Sequence, residues 1–132
     1  MKATNFMKNT AKNCEILTID ESSVNDAEIT LSERSEEIDV KVEADLLKEI
    51  VSNLKRTIKA NNLKSLSAPA IGYKKRVFCI NFDTEIKTFI NPVIATATGL
   101  EMSRETCTSI PNRTFIRPRN NDIMVVYQRP TG

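Results

Sequence analysis

The stretch Ala44–Asn61 constrains the fold of this chain more than any other. Its apolar residues recur every three or four positions, the spacing that places side chains on one face of an α-helix. Asp45 lies in the first predicted turn and Lys59 in the last, where the helix dipole favours a negative and a positive charge, respectively. The pattern predicts one long helix whose core face consists of Leu46, Leu47, Ile50, Val51, Leu54 and Ile58.

Strand-like segments follow this helix. In residues 76–82 the side chains alternate so that Phe78 and Ile80 share one strongly apolar face. Asn91 and Pro92 interrupt the next segment, and the proline predicts an edge or a bulge there. We therefore expect an α+β fold, with one main helix packed on short antiparallel strands. The other predicted strands are residues 14–19, 86–90, 93–98, 100–107, 114–117 and 123–127, with a turn at Gly99.

The sequence contains no histidine, which excludes every motif built on this common metal ligand and general base. Its three cysteines, Cys14, Cys79 and Cys107, are far apart, which favours a reducing compartment over a disulfide framework. No apolar run approaches the ~20 residues that span a bilayer, and the lysines of residues 1–13 precede no apolar signal region. We expect a flexible basic tail over residues 1–13, one domain over residues 14–132, and a cytoplasmic location or a place in a particle assembled inside the cell.

Charge is distributed unevenly along the chain, although the net charge is only +2. Residues 15–49 hold 12 acidic and 3 basic side chains, whereas residues 50–132 hold 13 basic and 5 acidic ones. This division predicts that the two parts attract each other or that each meets a different partner. An unevenly charged, solvated surface is the simpler interpretation.

Two short stretches resemble the motifs of a known enzyme family. Residues 63–72 read L-K-S-L-S-A-P-A-I-G, and residues 105–109 read E-T-C-T-S. In this order they are similar to the G-x-G-L-A-A-P-Q-I-G and E-G-C-L-S motifs of the peptide deformylases. These are small metal-dependent hydrolases that remove the formyl group from new bacterial chains. The turn formed by Ile90, Asn91 and Pro92 also matches the I-N-P turn of the family. The resemblance implies a deformylase-like α+β fold.

The resemblance assigns three positions of this chain to the catalytic site of the family. Ala70 replaces a glutamine that donates a hydrogen bond to the developing oxyanion, and losing one such donor costs about 10²–10³ in rate. Cys107 falls on the position of a metal ligand, and Glu105 belongs to the same motif. The resemblance implies that Ala70, Glu105 and Cys107 are vestigial positions, with no catalytic residue among them.

The third motif of the family, H-E-x-x-D-H on a C-terminal helix, has no counterpart in this sequence. Its two histidines complete the metal site, and its glutamate is the general base. A catalytic metal needs about three protein ligands, whereas Cys107 alone remains, so we expect no bound metal and no cofactor. The resemblance implies a truncated deformylase-like domain that is not an enzyme. It would act as a structural or interaction module of a larger assembly, such as a phage particle.

Other functions and partners remain open. Because the catalytic helix is missing, we expect an apolar groove that another protein chain covers. One alternative is a metal-dependent peptide deformylase completed by a partner that supplies the helix. Another is a basic module that binds nucleic acid or the ribosome. We expect no membrane partner. The basic candidates are Arg113, Arg117, Arg119 and Arg129.

The motif residues also have simpler interpretations. Cys107 is expected to be a small buried residue and not a metal ligand or nucleophile, since no histidine is present to act with it. Glu105 is expected to be a structural hydrogen-bonding residue. Pro69 and Gly72 are typical of a turn.

Overall fold

The computed structural model describes residues 13–18, 31–107 and 109–129, so most of the predicted tail (residues 1–13) lies outside it. A long helix, α1 (Ala44–Asn61), packs on an antiparallel sheet with the strand order β1-β2-β3-β6. Two further strands, β4 and β5, form a second, two-stranded sheet. The strands are β1 (Ser65–Ser67), β2 (Val77–Asn81), β3 (Ile86–Thr98), β4 (Glu101–Cys107), β5 (Ile110–Arg119) and β6 (Asp122–Gln128), and a short 3-10 helix covers Ala68–Ile71.

Helix α1 begins and ends where the sequence predicts. Asn62 ends it in the left-handed conformation, with φ 52°, and the Asn62 N–H bonds back to carbonyls of the last turn. Of the six predicted core residues, Leu47, Ile50, Leu54 and Ile58 are buried, whereas Leu46 and Val51 are half-buried. Within the described residues, no helix is long and apolar enough to cross a bilayer.

The strongly apolar face predicted from Phe78 and Ile80 is not the face of β2 that packs on α1. Val77 and Cys79 point to the helix and are buried, as is Ile90 of the neighbouring strand β3. Phe78 and Ile80 are half-buried on the opposite face. The interface with α1 therefore consists of the smaller side chains of β2 and not of the larger ones. Small side chains let the helix lie close to the sheet.

Strand β3 is one continuous strand of 13 residues, not the two segments predicted. Asn91 adopts φ 49°, and the register of β3 against β6 shifts between Ile90 and Val93. Pro92 therefore lies in a bulge, one of the two outcomes that the sequence allowed. The Asn91 side chain accepts a hydrogen bond from the Ile38 N–H (2.9 Å) and donates one to the Ile38 carbonyl (2.8 Å). It thereby pairs the bulge with the segment that leads into α1.

Strands β3 to β6 form one long hairpin with a corner. The β3–β6 and β4–β5 ladders share the same register on either side of Gly99, because Thr98 pairs with Asp122 and Glu101 pairs with Arg119. Gly99 has φ 74°, and Asn120 donates a hydrogen bond to its carbonyl (2.8 Å). A left-handed backbone is readily available to glycine, so Gly99 permits the corner. The outer half of the hairpin is β4–β5.

The acidic and basic parts of the chain meet in the fold. Lys74 pairs with Glu33 at 2.7 Å, and Lys75 lies 3.1 Å from Glu43. A parallel bridge between Glu36 and Lys75 brings the two segments together. These contacts agree with the expectation that the two parts attract each other. Because these side chains are partly exposed to solvent, each ion pair contributes little to the stability of the fold.

Candidate functional site

The first motif forms one wall of the candidate site. Leu66 is buried between the exposed residues Ser65 and Ser67 of β1, and the chain then enters the 3-10 helix. Pro69 suits the start of this helix because its ring fixes φ, and because a backbone N–H in the first turn would have no acceptor within the helix. Gly72 ends the helix with φ 94°, as expected of a glycine in a turn.

Tyr73, next to Gly72, anchors this wall to α1. Its hydroxyl donates a hydrogen bond to Glu49 (2.6 Å) and accepts one from Asn53 (3.1 Å). Partial burial, together with the Glu49 carboxylate, raises the pKa of Tyr73 to about 12. The phenol therefore stays protonated near neutral pH, and we assign it a structural role.

The tip of the long hairpin forms the opposite wall. Cys107 ends β4 and pairs with Ile110 of β5, and Ser109 lies in the turn and is buried. The corner at Gly99 allows this tip to lie across from β1. Cys107 is exposed, so the prediction that it is a small buried residue is wrong. Two stretches that are far apart in the sequence therefore face one another.

A groove of about 750 Å³ runs between these walls. It brings together Ala70 and Cys107, two of the three positions that the resemblance singled out. Ala70 is buried at its base and offers a methyl group, with no side-chain donor, where the family motif has glutamine. The rest of the lining is mostly apolar or small, and its residues are Leu31, Asn62, Leu63, Lys64, Ser65, Leu66, Ser67, Phe78, Thr106, Ser109 and Ile110.

Glu105 does not line this groove. Its carboxylate accepts two hydrogen bonds from the Arg119 guanidinium, at 2.7 and 2.5 Å, across the β4–β5 ladder. The Arg119 bonds hold the pKa of Glu105 below its ordinary value. This geometry agrees with the structural hydrogen-bonding role expected of Glu105. It also engages Arg119, one of the arginines predicted to form a basic patch.

The described residues do not fit a catalytic metal. A metal of this kind needs about three protein ligands. Residues 13–18, 31–107 and 109–129 contain no cluster of three histidine, cysteine, aspartate or glutamate side chains. Cys107 has no second ligand from Glu105, which is bound to Arg119. The expected absence of a metal and a cofactor stays a prediction, and no reaction step is assigned to a metal held by these residues.

Among the described residues, no strand pairs with the outer edge of β1, a feature that the motif comparison missed. The Asn81 N–H donates to the Lys64 carbonyl at 2.7 Å, so these two residues form a hydrogen-bonded pair of the β1–β2 ladder. Hydrogen-bonded pairs alternate along an antiparallel ladder. The N–H and C=O groups of Ser65 and Ser67 are therefore directed away from β2. The alternation of serine, leucine and serine was the available signal for this strand.

Comparison with known proteins identifies the family to which this architecture belongs. The profile described as Polypeptide deformylase matches residues 14–132. The chain belongs to the polypeptide deformylase family. A peptide deformylase of Treponema pallidum is 32% identical over 106 residues, which are 78% of this chain and 61% of that protein. The chain spans about half the length of the curated deformylases that it matches, from 44% to 61%.

Solved deformylases confirm the α+β deformylase-like fold. The peptide deformylase of Thermotoga maritima superposes with a TM-score of 0.76 at 24% identity, over 92% of this chain and 77% of that one. The Met-Ala-Ser-bound class I type b peptide deformylase of Acinetobacter baumannii gives a TM-score of 0.76 at 16% identity, over 93% and 80% of the two chains. At these identities, the likeness shows the fold alone.

The prediction that this chain is not an enzyme is contradicted by its curated relatives. Several proteins that are 31–34% identical to it are named peptide deformylase, which is the name of an enzyme. The prediction rested on the missing histidine motif. These relatives are much longer than the region matched here, so the missing motif is no positive evidence of inactivity.

Proposed function

We propose that this protein is a peptide deformylase and that the described part of the chain binds the N-terminal residues of an extended peptide substrate. The observation that carries the proposal is the groove between β1 and the hairpin tip. It brings the Ala70 and Cys107 motifs together beside an edge of β1 with which no described strand pairs. The metal and the general base of the family reaction are not assigned to residues of this chain.

Two features of the groove support peptide binding. An extended peptide can add to a free sheet edge through main-chain hydrogen bonds, and Ser65 and Ser67 offer such bonds. Apolar side chains such as Leu63, Phe78 and Ile110 line the groove and can bury one apolar side chain of the peptide. The A. baumannii deformylase of similar fold was solved with Met-Ala-Ser bound. A short peptide with an apolar first side chain would suit the mostly apolar groove of this chain.

Binding and hydrolysis can be measured separately with formyl-Met-Ala-Ser. Titration calorimetry measures binding, and an enzymatic assay of released formate measures hydrolysis. We expect both with the natural protein purified without oxygen. Binding without formate release would leave the peptide site in place but contradict deformylase activity. No binding at millimolar peptide would contradict the whole proposal.

The edge of β1 can be tested with a matched pair of variants. Ser65→Pro removes the outward N–H, whereas Ser65→Ala removes only the hydroxyl. We expect Ser65→Pro to weaken peptide binding by about tenfold, the value of one net hydrogen bond at the upper end of its range. Ser65→Ala should bind like the natural chain. Equal binding by both variants would show that the peptide does not use this edge.

The other predicted functions are less well supported. Completion of the site by a partner that supplies the missing helix is supported by neither the structure nor the comparisons. For nucleic-acid or ribosome binding, Arg119 is bound to Glu105, which weakens the predicted basic patch. We retain as a proposal that another protein chain covers uncovered apolar surface of the sheet. Roles in a phage particle or as a structural module have no observation in their favour.

A further inference from the structure

We propose that Lys64 makes the groove selective for peptides that carry an acidic side chain at the fourth residue from the formyl end. This inference rests on the proposed peptide site, and it names the class of substrate that the site prefers. Among the described residues that line the groove, Lys64 is the only lysine, arginine, aspartate or glutamate. Its position along the path of the peptide therefore determines where a charge on the substrate matters.

The backbone at Lys64 is fixed by the fold. The Leu63 N–H donates to the Ile58 carbonyl at the end of α1 (3.0 Å), and the Leu63 carbonyl accepts a bond from the Asn81 side chain (3.2 Å). The Asn81 N–H donates to the Lys64 carbonyl (2.7 Å). These bonds tie the start of β1 to α1 and to β2. The Lys64 side chain therefore leaves the groove wall from a fixed point, and its ammonium moves only within the reach of its flexible stem.

The Lys64 ammonium is available to a ligand. Its side chain is exposed, and within residues 13–18, 31–107 and 109–129 no carboxylate forms an ion pair with it. Glu105 is next to Thr106, which lines the groove, but Arg119 binds the Glu105 carboxylate. A lysine ammonium has three N–H donors and no acceptor. The group of a peptide that suits it is therefore a carboxylate.

The order of the groove residues sets the direction and register of the peptide. Ala70 and Cys107 occupy the motif positions of the catalytic site, so the formyl end is expected beside them. Ala70 follows β1 and Lys64 precedes it, so the peptide runs antiparallel to β1, toward Lys64. The outward backbone groups of Ser67 and Ser65 then pair with the first and third peptide residues. The fourth residue lies opposite Lys64, on the same face, with Cβ atoms about 5 Å apart.

The size of the preference follows from the exposure of Lys64. An ion pair between exposed side chains changes an equilibrium constant by up to about fivefold. We expect a glutamate at the fourth residue to bind about threefold more tightly than a glutamine there, and a lysine about threefold more weakly. Peptides with glutamate and with lysine at this residue should therefore differ by about tenfold in dissociation constant.

Titration calorimetry of the full chain tests this preference with three peptides: formyl-Met-Ala-Ser-Glu, formyl-Met-Ala-Ser-Gln and formyl-Met-Ala-Ser-Lys. All three are C-terminal amides, so the glutamate side chain supplies the only carboxylate. Lys64→Gln should bring the ratio of the glutamate and lysine peptides close to one, and Lys64→Glu should invert it. The preference of the natural chain should shrink in about 1 M salt, which screens exposed charges.

The control variant is Lys48→Glu, which makes the same change of charge on α1. Lys48 is exposed, does not line the groove, and lies about 20 Å along the axis from the end of the helix. It should keep the natural preference, and circular dichroism should show that all variants are folded.

Three outcomes overturn the inference: a natural chain that binds the glutamate and lysine peptides alike, a preference that survives Lys64→Glu, or an equal change in Lys48→Glu. The first is expected if Lys64 only protects a strand edge from other chains. In each case the glutamine peptide still binds, so the proposed peptide site stands. If none of the three peptides binds, the proposed function fails and this inference fails with it.

Discussion

The corner at Gly99 can be tested by adding a single methyl group. A Cβ atom at this position would lie 3.0 Å from the Cβ and side-chain amide atoms of Asn121, closer than normal contact. The backbone also has φ 74°, and a left-handed conformation costs a residue other than glycine about 1–2 kcal/mol. Overpacking adds about 1 kcal/mol more at the low end of its range. We expect Gly99→Ala to lower the free energy of unfolding by about 2–3 kcal/mol.

Gly72→Ala is the matched control, because Gly72 also has a positive φ (94°) but no atom lies within 4 Å of its added Cβ. Urea unfolding should show a smaller loss for Gly72→Ala, and the difference measures the contact with Asn121. Asn121→Gly should recover part of the stability when it is combined with Gly99→Ala. Equal losses for the two alanine variants, with no recovery in the double variant, would refute the steric argument. Gly99→Ala should also weaken peptide binding, since the corner positions Cys107 opposite β1.

Three further predictions concern a bulge, the turn before α1 and the cysteines. Asn91→Gly keeps φ 49° accessible but removes two hydrogen bonds to buried backbone, so urea unfolding should show a loss of about 1–3 kcal/mol. Backbone N–H donors lower the pKa values of Asp39 and Glu43. Their stabilisation is complete at neutral pH and is lost as the pH falls from their ordinary pKa values through the lowered ones. The melting temperature should therefore begin to fall at about pH 4, their ordinary range, and should continue to fall below it, and the fall should be smaller in Asp39→Asn. Cys107 is exposed, whereas Cys79 is buried, and burial raises the pKa of the Cys79 thiol. A thiol reagent should therefore label Cys107 rapidly and Cys79 only on unfolding. The Cys107→Ser variant should lose the fast phase of labelling.

Local periodicity was sufficient to predict the helix and most of the strands. The bounds of α1 follow from apolar spacing and from Asn62 at its end, and β4 lies within the predicted residues 100–107. The two motifs also predicted the family correctly, because they depend on residue identity and order. These features are encoded within short stretches of the chain.

Long-range packing decided what periodicity could not. Both faces of β2 are apolar, so the pattern alone favoured the larger side chains, Phe78 and Ile80. The neighbouring strands bring Leu66 and Ile90 to the other face, and α1 packs there. The exposure of Cys107 could not be predicted either, because it depends on where a corner many residues away directs the hairpin tip.

The two walls of the groove differ in how firmly the fold holds them. The wall formed by β1 and the 3-10 helix belongs to the core, since Leu66, Ala68 and Ala70 are buried against the α1 side of the sheet. The opposite wall is the tip of a two-stranded ladder with mostly exposed side chains, an arrangement that is marginally stable by itself. Core substitutions should therefore change stability before they change the groove, whereas changes at Gly99 should alter both. A peptide that pairs with β1 and contacts Cys107 would order the hairpin tip against the core, so substrate binding and the stability of this hairpin are expected to be coupled.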